Sequence, residues 1–561
     1  MKHRVRRDRG SGLAGVRAVA LGGALAFAVL SPIESFSVVR NPTPAPTASN
    51  ASLEVAACDR IGREALTRTL RGISGSRSGD IALIPEPPNF VNGGLTHATP
   101  FDYTQEVPLL FYGPGYVRPG VYTRSVTLAD IAPTQAALLK FPFEAPDGQA
   151  QMDALVAVDE RPVPALVVTV VWDSVGDNVL QRWPDAWPTL ASLRDGGAWF
   201  EDATVGAAPS NTPVAHATIG TGAFPSTHGL VDVYIRIRGE LIQPMDLGPT
   251  TLRGATLGDE YDLAMGNRPV VGTLATLADH LPMMSHGSEF NGGDRDIAVT
   301  REEEDGPTTG VESAEWNLSE AVAPYYELPP YVNDLPSVET YVDEVDRADG
   351  ALDGRWRDND IALLANGFDT PARAQFEEEL LEAMIEREGF GADDVPDLLF
   401  VNFKTTDKIG HLFSADGIEM ADTLAAQDAA LGRLVEYLDE NVGAGRWVMV
   451  LTADHGTQRD PTRTGAFMID ADKLRALLAA GFDDDGDDVP LVQKLRPSQV
   501  WLDRDELLDN GATVEEVSGF LLDLTRADTF VGPTPPPGDS SDEAVFAAVL
   551  PSATLSGLPC L

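Results

Sequence analysis

The chain has little cysteine and little positive charge. Its 561 residues include two cysteines, Cys58 and Cys560, too few and too far apart for a zinc knuckle or a CxxC redox pair. Lys and Arg number 41 against 86 Asp and Glu, a formal net charge of −45. Such a surface repels a polyphosphate backbone and argues against nucleic acid as a structural partner. A small anionic substrate stays open, because bound divalent cations would reverse the field locally. The 52 Gly and 41 Pro fall short of the share that marks a disordered or collagen-like chain. No internal repeat is present, and no apolar run reaches the ~17–25 residues of a membrane span. The run from Ala18 to Leu30 is shorter than that and follows Lys2, Arg4, Arg6, Arg7 and Arg9. Residues 1–36 therefore read as a signal peptide or, alternatively, an uncleaved N-terminal anchor that tethers the protein to a membrane. The Pro/Ala/Ser/Thr-rich stretch 37–57 reads as a flexible linker. Either way the remainder is expected to be secreted or at the cell surface, where a disulfide persists.

What the chain does have is a set of short apolar runs rich in β-branched residues: Leu166–Trp172, Leu398–Phe403 and Trp447–Thr452, with shorter ones at Ile81–Ile84 and Val107–Tyr112. Runs without alternation predict strands buried on both faces, and helical patterns such as Ala372–Arg387 and Met420–Asn441 lie between them. The expected fold is an α/β three-layer sandwich around a mostly parallel, doubly wound sheet. Ligands of such folds bind beyond the carboxyl ends of the strands. Asp173 directly follows the first run, Asp407 and His411 stand in TTDKIGH after the second, and Asp454 and His455 stand in TADHG after the third. One Asp at a strand end is an ordinary turn or cap residue. Three carboxylates and two imidazoles together make most of the ligand set of a dinuclear metal site. Mixed nitrogen and oxygen donors suit Zn²⁺, or Mn²⁺ or Fe, better than Ca²⁺. A fourth cluster, PSNTPVAHATIGTGAFPSTHG, runs from Pro209 to Gly229. Thr212-Pro213 reads there as an N-cap followed by proline at the first helical position, which puts a hydroxyl in the positive field of a helix start. FDDDGDDVP, by contrast, is an acidic turn: Lys494 stands where a calcium loop needs its bidentate Glu.

Together the strand-end Asp173, TPVAHATIGTGAFPSTHG, DKIGH and ADHG resemble the alkaline phosphatase superfamily, in its type I phosphodiesterase/nucleotide pyrophosphatase and related phosphatase branch. The order and spacing match over residues 163–460. The resemblance implies that Thr212 is the nucleophile. Asp173, Asp454 and His455 would hold one divalent metal with Thr212, and Asp407 and His411 would hold a second. His216 and His228 would pack the turns around the nucleophile helix. It further implies hydrolysis of a small phosphodiester or phosphomonoester through a phosphothreonine.

The family's second metal takes one more histidine downstream of D-H-G, and this chain has none after His455. Residues 95–143 resemble the family's carboxyl-terminal end instead. THATPFDY is similar to T-H-G-x-P-x-x-Y, with Ala98 in place of Gly, and VPLLFYGPG and DIAPT follow. That likeness puts His97 on the missing ligand position and implies a circular permutation. Residues 58–150 would complete a catalytic domain whose core is 151–230 and 397–561, with 231–396 as a cap insertion. Cys58 and Cys560 would then mark the join of the unpermuted chain, and a disulfide between them would restore it. Two departures concern the substrate. Val233 stands where branch members carry Asn, and the K-x-R pair of phosphomonoesterases is missing from Gly272–Asp296. Asn211 and His286 are the expected replacements. Two rival readings are a non-catalytic surface binding module that keeps the fold, and a phosphotransferase acting on a cell-surface glycan.

Overall fold

The structure is a computed structural model; it describes residues 49–91, 95–301, 303–304, 311–312, 315–483, 486–487, 489–531 and 541–561. The expected signal peptide or anchor lies outside the described residues, and so does most of the linker. Among the described residues no helix is long and apolar enough to cross a membrane. The end of the expected linker is not flexible: Asn50–Arg60 is a helix. Its Leu53 and Ala57 are buried in a cluster with Ile61, Leu66, Leu555 and Leu558, and that apolar contact outweighs the linker-like composition around it.

Nine strands form the central sheet. In spatial order they are Tyr326–Glu327, Asp296–Arg301, Val271–Leu277, Asp397–Phe403, Leu166–Trp172, Trp447–Thr452, Leu109–Tyr112, Ala198–Thr204 and Gly120–Thr127. Leu109–Tyr112 runs antiparallel to both its neighbours, while every other pairing in the sheet is parallel. The sheet is thus mixed and mostly parallel, as the unbroken apolar runs predict. Every residue of Leu166–Trp172, Asp397–Phe403 and Trp447–Thr452 is buried, so both faces of the sheet are covered. One group of helices includes Ile131–Leu138, Thr212–Thr221 and Leu257–Met265; the other includes Pro188–Gly196, Ala372–Glu388 and Ile418–Leu438.

Residues 231–396, expected to be a cap insertion, contribute three of these strands and the Ala372–Glu388 helix. The short strand VGTLATL was hidden among polar loops, and one of its two partners, Asp397–Phe403, lies far away in sequence. A second, antiparallel sheet joins the two ends of the chain: Ile81–Pro85 lies between Gln499–Leu502 and Phe546–Pro551.

Cys58 and Cys560 are joined by a disulfide, with a Cα separation of 5.8 Å. Such bridges persist outside the reducing cytoplasm, which accords with an extracytoplasmic protein. The bridge closes a loop of nearly the whole chain and so restricts the unfolded state strongly. The double variant Cys58→Ser/Cys560→Ser is expected to lose ~2–5 kcal/mol of stability. Denaturant unfolding checks this, and an unchanged midpoint would show that the bridge adds nothing.

Candidate active site

The carboxyl ends of Asp397–Phe403, Leu166–Trp172 and Trp447–Thr452 lie side by side, because these strands are parallel and adjacent. Each chain segment turns polar as it leaves the buried sheet. Asp173 is fully buried there, and the next residue, Ser174, takes a left-handed backbone with φ of 69°. This turn aims the Ser174 N–H at Asp454 Oδ1, 3.0 Å away, and ties two strand ends together.

Two groups of ligand-type side chains converge at this edge. Asp173, Asp454 and His455 form the first: His455 Nε2 lies 3.3 Å from Asp454 Oδ2 and 3.7 Å from Asp173 Oδ1. In the second, Asp407 Oδ1 lies 3.4 Å from His411 Nε2 and 3.7 Å from His97 Nε2. The rings of His97 and His411 are 5.2 Å apart, and His97 stacks on His455 at 3.5 Å. A segment from the front of the chain therefore brings a third imidazole to the site. Backbone carbonyls pin the Nδ1 atom of each ring: Ser210 for His97, Leu95 for His411 and Gly456 for His455. Each Nε2 is left facing the carboxylates, the outer-shell arrangement of metal-binding histidines. Burial pushes His97 and His455 below the ordinary imidazole range, which keeps their lone pairs free.

The unpaired atoms test whether ions fit. Among the buried polar atoms without a hydrogen-bond partner are Asp173 Oδ1, Asp454 Oδ2 and His455 Nε2 in the first group and Asp407 Oδ1 in the second. Buried carboxylate oxygens left facing one another are costly unless a cation takes them up. Burial, reinforced by the charge of Asp173, drives Asp454 well above the carboxylate range. The donor set is mixed oxygen and nitrogen, as zinc-type ions prefer. The residues present fit divalent-ion binding.

Thr212 opens the helix Thr212–Thr221 at the edge of both groups, and Asn211 rather than Thr212 is its N-cap. The one-residue shift moves the threonine hydroxyl into the first turn, still within the positive end of the helix. A cavity of about 460 Å³ opens above it, walled by Asn211, Lys404, Lys408, His411 and Arg496 among others. Asn211 is buried, and its amide oxygen has no partner. His286 is elsewhere: it bonds Asp259 at 2.5 Å and does not line the cavity, so it is no substrate contact. That carboxylate claims its ring, and nothing in the local sequence announces the pair.

Residues 167–517 match the family described as type I phosphodiesterase / nucleotide pyrophosphatase. The chain belongs to that family. It is accordingly a hydrolase of the phosphatase and phosphodiesterase kind within the alkaline phosphatase superfamily. Alkaline phosphatase PafA of Elizabethkingia meningoseptica is 25% identical over 422 residues, covering 64% of this chain and 73% of the relative. A protein of Myroides odoratus named a calcium-transporting ATPase is 26% identical over 428 residues, 66% of this chain and 75% of the relative. The crystal structure of wild-type alkaline phosphatase PafA is similar over 69% of this chain and 85% of its own, at 19% identity and a TM-score of 0.48.

Several side chains at this phosphodiesterase-family site were given no part in its chemistry by the sequence. His216, expected only to pack a turn, lies 3.9 Å from Asp454 Oδ2 and 3.1 Å from the Asn402 amide nitrogen. His280 stands 3.5 Å from Asp173 Oδ2, and Asn402 bonds that same oxygen at 3.0 Å. His228 does pack its turn, next to Thr218. Lys404 sits between the two groups. Its place three residues before Asp407, on one helical face, was the available signal.

Proposed function

We propose that this protein is an exported, metal-dependent phosphoryl hydrolase that cleaves a small phosphodiester or phosphomonoester through a phosphothreonine at Thr212. One observation carries the reading: a threonine hydroxyl at a helix start faces an open cavity beside two Asp/His groups whose buried atoms lack partners. Two divalent ions, Zn²⁺ or else Mn²⁺ or Fe, would supply Lewis-acid charge to the attacking and leaving oxygens. Asp173, Thr212, Asp454 and His455 would hold one ion, and His97, Asp407 and His411 the other. Thr212 gives its hydroxyl proton to water, and its Oγ1 attacks phosphorus in line. The new O–P bond forms as the bond to the leaving oxygen breaks with its electron pair. Water then attacks the phosphothreonine, releases the phosphoryl product and restores the threonine. Asn211, buried on the cavity wall, orients the incoming substrate by donating from its amide N–H groups to a phosphoryl oxygen.

The same reading includes a circularly permuted order, in which residues 58–150 complete the catalytic domain formed by 151–561, including the three central-sheet strands from 231–396. Three features support it: the strands Leu109–Tyr112 and Gly120–Thr127 inside the central sheet, His97 beside Asp407 and His411, and the bridge between Cys58 and Cys560. The test is elemental analysis of purified protein alongside assays with phosphomonoesters and phosphodiesters, before and after chelation. Close to two transition-metal ions per chain are expected, with activity lost on their removal. Active protein free of metal would reject the site.

A further inference from the structure

Among the described residues, Lys404 is the lysine whose ammonium bridges the two Asp/His groups. It lies at the end of the Asp397–Phe403 strand and is almost fully buried. Its Nζ donates to Asp173 Oδ2 at 3.0 Å, to Asp407 Oδ2 at 2.8 Å and to Thr212 Oγ1 at 3.1 Å. Three N–H bonds are thus directed at three acceptors, one in each group and one on the nucleophile.

The division of oxygens matters most. The lysine takes Oδ2 of each aspartate, whereas the atoms left without partners are the two Oδ1 atoms. An ion on either Oδ1 and the ammonium on Oδ2 therefore do not compete for one atom. A lysine needed only to neutralise buried carboxylates would have no reason to reach the nucleophile or to line the cavity, and Lys404 does both. Lys408 and Arg496 also line the cavity, and Lys404 is the cation that bonds the nucleophile. The chain has six lysines and none between Lys140 and Lys404, so residues 231–396 offer no ammonium to a bound phosphoryl group.

We propose that Lys404 is a catalytic residue: its ammonium stabilises Thr212 Oγ1 as the attacking oxygen and then binds a non-bridging oxygen of the transferred phosphoryl group. The inference rests on the hydrolase reading above. Once the Thr212 proton has gone to water, the lysine N–H faces a full negative charge, which it meets in a site prearranged by two fixed carboxylates. When the O–P bond forms, Oγ1 becomes a bridging ester oxygen and a poor acceptor, and the N–H turns to the adjacent non-bridging oxygen. The lysine keeps its proton throughout, so no acid or base is consumed.

The test compares wild type with Lys404→Met, using p-nitrophenyl phosphate and bis(p-nitrophenyl) phosphate, inhibition by orthovanadate, and metal content. Lys404→Met is expected to lower kcat/KM by ~10²–10³-fold, the worth of one preorganised donor to a developing oxyanion. Vanadate inhibition should weaken in parallel, with metal content per chain unchanged. A wild-type rate, wild-type vanadate inhibition or a matching loss of metal would each overturn the catalytic role. Should the variant fail to fold, a crystal structure of the wild-type protein with orthovanadate decides: Nζ within ~3.2 Å of a vanadate oxygen supports the role, and a longer separation rejects it. A wild-type protein inert towards both esters would sink the hydrolase reading and Lys404 with it, whereas an active wild type with an unaffected variant sinks Lys404 alone.

Discussion

Thr212→Ala is expected to lower kcat by at least ~10³-fold while both metal positions remain filled. The alanine keeps the backbone of the helix start, and Pro213 still fixes its entry, so the fold loses only a hydroxyl. The Asp and His side chains of the two groups are supplied by other segments and keep their carbonyl-pinned orientations. The measurement is kcat on the preferred ester together with elemental analysis of the same preparation. Near-normal turnover in the variant would move the chemistry to direct attack by water and remove the phosphothreonine from the mechanism.

His97→Ala should separate the two metal positions. His97 and His411 both face Asp407 Oδ1, so the loss of His97 leaves the second group with one carboxylate and one imidazole. Removing a ligand outright should cost at least as much as disturbing an outer-shell partner, ~10–100-fold in metal affinity. Metal content is expected to fall from about two ions to one, with turnover down ~10²-fold and partly restored by added metal. The Asp173, Asp454 and His455 group should keep its ion, which distinguishes this outcome from general unfolding. Two ions and full activity in the variant would dissociate His97 from the metal site, and with it the chief support for the permuted order.

The sequence alone determined a good deal. Strands buried on both faces must be apolar at every position, so Leu166–Trp172 and Trp447–Thr452 were legible as members of a mostly parallel sheet, and the polar residues that end them had to lie at its edge. Asp173, Asp407, His411, Asp454 and His455 were marked out for that reason, a property of residues adjacent in the chain. The likeness of residues 95–143 to a family's far end was likewise a matter of local order, and it pointed to His97.

Only the tertiary structure decided the rest. His411 is 316 residues from the Leu95 carbonyl that orients it, and no periodicity encodes such a contact. His286 looked as available as Asn211, until its pairing with Asp259 removed it from the cavity. The region expected to form a cap yielded strands of the central sheet, because pairing partners are selected by the whole sheet and not by the segment itself. Lys404 shows the difference most clearly. Its spacing from Asp407 could be counted along the helix, but the contacts to Asp173 and Thr212 come from two other elements and exist only where three chain segments close on one point. Local pattern fixes which residues leave a strand; convergence in space fixes which of them share an atom.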